Sequence, residues 1–300
     1  MTAPVIIEAA INGVTSKRRN PNVPRRDDEI VADALACFEA GAAIVHHHLD
    51  GTGYDGPAAA AAYLAIWRPI LAARPDALLY PTFNFTADGG HDHTHLAPLA
   101  ESGLARMGLC DPGSVNLGRW RDGVPGGSFV YANDLDTVAS QLTTCAEHGL
   151  GPAVAIYEPG FLRIVLAWQR AGRLPAGTMV KFYLCDDRGA FGGAPFGLPP
   201  TRTALDAYLE MVEPSGIPWA VSMVGGDVGR SDVAAYALER GGHLHLGLEF
   251  FDGDRTPTNV ELVHEAVALC ASAGRPVATC TETAAIVGLP TRPGPASDPS

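Results

Sequence analysis

Ala43-Ile44-Val45-His46-His47-His48-Leu49-Asp50-Gly51 is an apolar run of strand type that ends in three histidines and breaks at an Asp-Gly turn. In an extended chain the side chains alternate, so His46 and His48 point one way and His47 the other. Two imidazoles side by side at a strand end form half of a transition-metal site. An ordinary polar strand end looks the same locally, so the rest of the chain has to decide.

Upstream, residues 5–11 are an apolar strand closed by Asn12-Gly13, and a basic loop runs over 15–26. Asp27-Asp28 then opens a helix with acids at its positive end, with Ile30, Ala34, Leu35 and Phe38 at helical spacing and Gly41 as its stop. Downstream the alternation continues. Strands are expected at 78–84, 105–110, 153–157, 179–184, 219–224 and 243–251. Helices are expected at 58–73, 96–102, 135–148, 161–171, 204–212, 231–240 and 259–273, with a short closing helix within 275–289. Strands alternating with helices imply parallel βαβ units, and eight of them imply a (β/α)8 TIM barrel. An open doubly wound sheet is the alternative, but no Gly-x-Gly-x-x-Gly follows the first strand. Residues 1–289 are expected to form a single barrel domain, and the Pro/Ser-rich stretch 290–300 a frayed tail.

Composition narrows the function. The 300 residues carry 33 acids and 21 bases, a net charge of −12, which disfavours nucleic acid as a partner. Six cysteines are scattered without a Cys-x-x-Cys, so they are read as reduced thiols rather than a disulfide or zinc-ribbon framework. No apolar run approaches the ~20 residues of a membrane span. With a strand beginning soon after Met1 and no signal peptide read, a cytoplasmic protein is expected.

In a (β/α)8 barrel the active site lies at the carboxyl ends of the strands. Asn12, His46, His48, Thr82, Asn84, Asp111, Tyr157, Glu158, Asp186 and Glu249 all fall at such ends. Strand eight closes the barrel beside strand one, which puts Glu249 within reach of His46 and His48. Two histidines and a carboxylate would leave open coordination for a substrate oxygen. A rival cluster, His91, His93 and His95 in the Gly89-Gly90 loop, has no strand to hold it and is read as part of the pocket mouth.

The order of motifs resembles a known family. Ile6-Ile7-Glu8-Ala9-Ala10-Ile11-Asn12-Gly13 is followed by Asn20-Pro21-Asn22-Val23-Pro24, Phe38-Glu39-Ala40-Gly41-Ala42-Ala43, His46-His47-His48 and Gly113-Ser114-Val115-Asn116-Leu117-Gly118. Later come Gly241-Gly242-His243, Gly247-Leu248-Glu249, Asn259-Val260-Glu261-Leu262-Val263 and Gly274-Arg275-Pro276-Val277-Ala278-Thr279. In this order they resemble the β-keto acid cleavage enzymes, the family that includes the 3-keto-5-aminohexanoate cleavage enzyme.

The resemblance implies a zinc-dependent acyltransferase, usually a homotetramer. Such an enzyme joins a β-keto acid and acetyl-CoA to give acetoacetate and a new acyl-CoA. It carries the metal ligands onto His46, His48 and Glu249, and substrate contacts onto Thr82 and Asn84, with Asp111 added at the rim.

The chain departs from the family pattern where a charged group is expected. Val14 and Phe250 stand at positions of acids, His245 at that of an arginine, and Ala155 at that of a glutamate that reads a substrate amino group. A β-keto acid without an amino group is therefore expected. His245 is the expected replacement acid/base, with Glu158 as a weaker second. For CoA, the mouth loops offer Lys17, Arg18, Arg19, Arg25, Arg26 and Arg230. Two other readings stay open: a metal-dependent hydrolase of amidohydrolase type, and a metal- or ligand-binding pseudoenzyme that has lost the usual base.

Overall fold

The structure is a computed structural model that describes residues 3–51, 53–85, 90–189 and 192–291 (backbone alone at Ser128). Thr52, Gly89, residues 190–191 and most of the expected tail lie outside the described residues.

Eight parallel strands line up as β3-β2-β1-β12-β11-β10-β9-β6. They are β1 (Ile7–Ala10), β2 (Ile44–His47), β3 (Leu78–Pro81), β6 (Met107–Cys110), β9 (Gly151–Ile156), β10 (Met179–Cys185), β11 (Trp219–Val224) and β12 (His243–Leu246). β3 lies against β6 without a shared ladder, so the sheet curls into a nearly closed TIM barrel, as expected. β1 sits between β2 and β12, with Ala10 opposite His46 and Glu8 opposite His245.

The surrounding helices start where the sequence places caps. α1 (Asp27–Ala40) opens with Glu29, whose Oε2 accepts the Arg25 and Arg26 N–H groups at 2.9 and 3.3 Å. It buries Ile30, Ala34, Cys37 and Phe38 against the barrel. α2 (Gly56–Ala73) is capped by Asp55 and buries Tyr63, Ile66, Trp67 and Ile70. Burying each such side chain contributes about 1.5–3 kcal/mol. α3 (Leu96–Glu101), α4 (Leu135–Glu147), α5 (Pro159–Arg170), α6 (Arg202–Val212), α7 (Asp232–Glu239), α8 (Asn259–Ser272) and α9 (Cys280–Val287) complete the outer layer. All six cysteines are buried free thiols.

Two small sheets stand outside the barrel. β4 (Asn84–Phe85) pairs with β5 (His91–Asp92), and β7 (Val115–Arg121) with β8 (Val124–Tyr131). The second hairpin was not expected. Its turn is Asp122-Gly123, with φ of 50° and 81°, the left-handed pair that a tight hairpin requires. The last barrel strand is also shorter than the expected 243–251. It stops at Leu246 because Gly247, at φ 133°, passes so close to β1 that a Cβ there would lie 2.1 Å from the Ala10 carbonyl oxygen.

Candidate metal and substrate site

β2 delivers His46 and His48 to the barrel mouth and turns His47 outward. The Trp67 indole N–H donates to His47 Nε2 at 2.8 Å, which ties the strand to α2. Asn12 then fixes His48 through its backbone. The Asn12 amide accepts the His48 N–H at 2.8 Å and donates to the His48 carbonyl at 3.0 Å. Glu249 follows the end of β12 and is held the same way. The Thr15 hydroxyl reaches the carbonyls of Leu248 and Glu249 at 2.7 and 2.8 Å, and Asn259 accepts the Leu248 N–H at 2.9 Å. Gly13 leaves room for the carboxylate, since a Cβ there would fall 2.3 Å from Glu249 Cγ.

These elements bring His46, His48 and Glu249 together, with one ligand atom from each within 4.8 Å of the others. His46 Nε2 is 3.6 Å from Glu249 Oε2, and His48 Nε2 is 3.0 Å from Oε1. His46 Nδ1 lies 3.3 Å from the Tyr80 carbonyl, which can only accept, so the ring hydrogen sits on Nδ1. Burial, with His48 and Lys181 nearby, holds His46 well below the usual imidazole range, so it is neutral. Its Nε2 lone pair thus faces a carboxylate oxygen. Glu249 stays ionised: burial pushes its carboxyl up, but His48, His245 and Lys181 together bring it below the usual range. Glu249 Oε2 is buried without a hydrogen-bond partner, and His48 Nε2 has only the Glu249 carboxylate before it. Converging acceptors of this kind fit a bound cation.

His48 and Glu249 border a wide cavity of about 670 Å³. Val14, Phe85, Leu117, Phe129, Phe196 and Phe250 give it apolar walls, and His48, Thr82, Asp111, Arg119, Tyr157 and Glu249 its polar ones. A smaller cavity of about 40 Å³ lies inward, touched by His46, Thr82, Asp111, Tyr157, Lys181 and Glu249. Asp111 borders both. Burial raises its carboxyl to about 6, against the hydrogen bond it accepts from the Tyr131 hydroxyl at 2.8 Å.

Other expected site residues lie elsewhere. Asn84 is pinned by donating to the Tyr54 carbonyl at 2.6 Å, and lines a side cavity with His48. Glu158 accepts the Gly197 N–H at 3.0 Å and anchors that loop. Arg230 pairs with Glu265 at 2.8 Å on the surface. Lys17, Arg19, Arg25 and Arg26 are likewise paired with acids, while Arg18 is exposed and makes no ion pair among the described residues. His245 faces Ser222 at 2.8 Å, Glu8 at 3.3 Å and Tyr183 at 3.4 Å, rather than the wide cavity. Burial and Lys181 push it down to about 3. His91 and His93 pair with Asn133 and Ser140, and His95 stacks on Tyr63, so these three do not converge.

Glu8, Tyr80 and Lys181, which meet in the barrel interior, were missed. The available signal was a charged residue inside an otherwise apolar strand, at Ile7-Glu8-Ala9 and Val180-Lys181-Phe182.

The profile of the beta-keto acid cleavage enzymes matches residues 4–289. The chain belongs to that family. Among its relatives is the 3-oxoadipate:acetyl-CoA acetyltransferase of Cupriavidus necator, 27% identical over 97% of this chain and 96% of the relative. The 3-keto-5-aminohexanoate cleavage enzyme of Fusobacterium nucleatum is 27% identical over 96% of this chain and 99% of its own. The solved apo structure of ObcA superposes with a TM-score of 0.65 at 16% identity, over 90% of this chain. The chain spans 66% of the length of ObcA, and the likeness supports the fold. As a member of the beta-keto acid cleavage enzyme family, the chain is an enzyme of carbon–carbon cleavage and acyl transfer, which sets aside the amidohydrolase reading. Among the described residues, no helix is long and apolar enough to cross a membrane.

Proposed function

We propose that the chain joins a β-keto acid lacking an amino group to acetyl-CoA, yielding acetoacetate and a new acyl-CoA, with a divalent metal, zinc, in the His46-His48-Glu249 triad. The observation that carries this reading is the convergence of three buried ligand atoms, with His48 and Glu249 opening onto a wide cavity, in a chain of this family. A bound divalent ion would supply Lewis-acid polarisation of the keto acid's oxygens.

The protein's own groups supply the rest. Thr82 lies where a substrate carboxylate can be bound. Proton removal from the carbon between the two carbonyls needs a base poised near neutrality. Asp111, bordering both cavities with its carboxyl near 6, suits that task better than His245 or Glu158, which face other partners. Val14, Phe85, Phe196 and Phe250 favour an apolar acyl group, and with Ala155 at the inner cavity β9 offers no acid there for a substrate amine. Arg18 is the candidate for the CoA phosphates.

Incubating the zinc-loaded protein with acetyl-CoA and a panel of β-keto acids, followed by mass spectrometry of the acyl-CoA products, tests the reading. Apolar keto acids should give new acyl-CoA. No product across the panel would overturn acetyl-CoA as the co-substrate of these keto acids. The reading also carries a cytoplasmic homotetramer built from the 1–289 barrel domain; sedimentation velocity checks the assembly.

A further inference from the structure

Beneath the triad, on the same face of β1 as Ala10 but one side-chain layer deeper, sits Glu8. It is fully buried, and Lys181 is 2% exposed. Glu8 Oε1 accepts from Lys181 Nζ at 3.1 Å and from the Tyr80 hydroxyl, while Lys181 also donates to the Tyr80 oxygen at 2.5 Å. Glu8 Oε2 has no partner. A buried ion pair of this kind is weak support for stability, because desolvation offsets most of its attraction. Replacing it with apolar residues would be the simpler way to fill a barrel core.

The donor count suggests what the pair is for. An ammonium has three N–H donors, and protein acceptors take two. Among the described residues no acceptor takes the third, and the Lys181 side chain lines the small inner cavity beside His46 and Glu249. That cavity has about 40 Å³ of space for water-sized groups, enough for a small polar group. A carboxylate or enolate oxygen fits this description. A charge-assisted hydrogen bond from a buried ammonium acts strongly on such an oxygen.

We propose that Lys181 is a substrate-contacting catalytic residue, whose third ammonium donor binds an anionic oxygen of the β-keto acid in the inner cavity. Glu8 and Tyr80 act as positioning residues that hold the ammonium and balance its charge. The assignment rests on the β-keto acid reading above. The lysine acts through its charge and forms no bond to carbon.

The test uses the paired variant Glu8→Gln/Lys181→Met, which removes both buried charges together, with circular dichroism to confirm folding. Metal content per chain should match the wild type. Acetoacetate binding by calorimetry should weaken at least about tenfold, and kcat fall about 100-fold with the acetyl-CoA KM unchanged. Acetoacetate binding equal to wild type would overturn the assignment. If wild type binds acetoacetate, the variant does not, and neither makes acyl-CoA, the cleavage reading fails while the lysine's role stands. If both make acyl-CoA equally well, the reverse holds.

Wild-type crystals soaked with acetoacetate give a test that needs no variant. An oxygen about 3 Å from Lys181 Nζ is expected, and an occupant that avoids the lysine overturns the proposal. Borohydride treatment with acetoacetate should leave the protein mass unchanged, whereas a reduced adduct on Lys181 would show an imine-forming nucleophile instead.

Discussion

At the scale of single residues, the site depends on side chains that never face the cavity. Asn12 clamps the His48 backbone on both sides and also donates to the Pro24 carbonyl at 3.1 Å. Asn12→Ala should therefore cost about 1–3 kcal/mol of stability by leaving buried backbone groups unpaired. It should also weaken metal binding about 10- to 100-fold, as loss of groups that orient a ligand does. Denaturant melts and metal competition read the two effects separately, and unchanged metal affinity would remove Asn12 from the site. Asp111 carries a prediction of its own. As a base it must be ionised, so kcat/KM should fall as pH drops through about 6. Asp111→Asn should abolish that limb and lower kcat at pH 8. A pH profile that is the same in the variant would exclude Asp111.

At the scale of elements, the barrel was legible because each strand–helix unit announces itself locally. The Asp27-Asp28 helix start, the Gly41 stop and the apolar run into His46 all lie where expected, within a residue or two. The triad was legible for the same reason: strand alternation fixes His46 and His48, and barrel closure brings β12 beside β1. What could not be read depends on contacts distant in sequence. Glu8 and Lys181 are separated by 173 positions, and only the closed barrel makes them partners. The same holds for His245, whose neighbours Ser222 and Glu8 come from two other strands. The β7–β8 hairpin was different, since Asp122-Gly123 is a strong local turn signal that the strand–helix alternation obscured. The end of β12 offers an element-level test. Gly247→Ala would drive a Cβ into the Ala10 carbonyl at a φ that side chains avoid. It should destabilise the protein by about 2–4 kcal/mol and displace Glu249. Urea denaturation and metal content together check this; a wild-type midpoint would contradict the close approach.

At the scale of the whole molecule, acid stability is set by buried imidazoles. Burial lowers His47 and His95 to about 4, and His243 and His245 to about 3, from 6.5. The unfolded chain protonates these rings near 6.5 while the folded chain does not, so their stabilisation is complete above that pH and declines below it. Each contributes a slope of up to about 1.4 kcal/mol per pH unit in that window. Asp33 and Asp111, raised to about 6 by burial, act in the opposite direction between 3.8 and 6, but these four histidines, joined by His46 and His93, outnumber the two carboxyls. The urea midpoint should be clearly lower at pH 5 than at pH 7.5; an equal or higher midpoint at pH 5 would contradict this balance. The proposed function turns on whether the His46-His48-Glu249 triad at the barrel mouth holds a metal, and that occupancy is directly measurable. Stripped of metal, dialysed against zinc and analysed by inductively coupled plasma mass spectrometry, the wild type should hold one tightly bound ion per chain, and the His46→Ala and Glu249→Gln variants close to none. Full occupancy in those variants, or none in the wild type, would contradict the central claim.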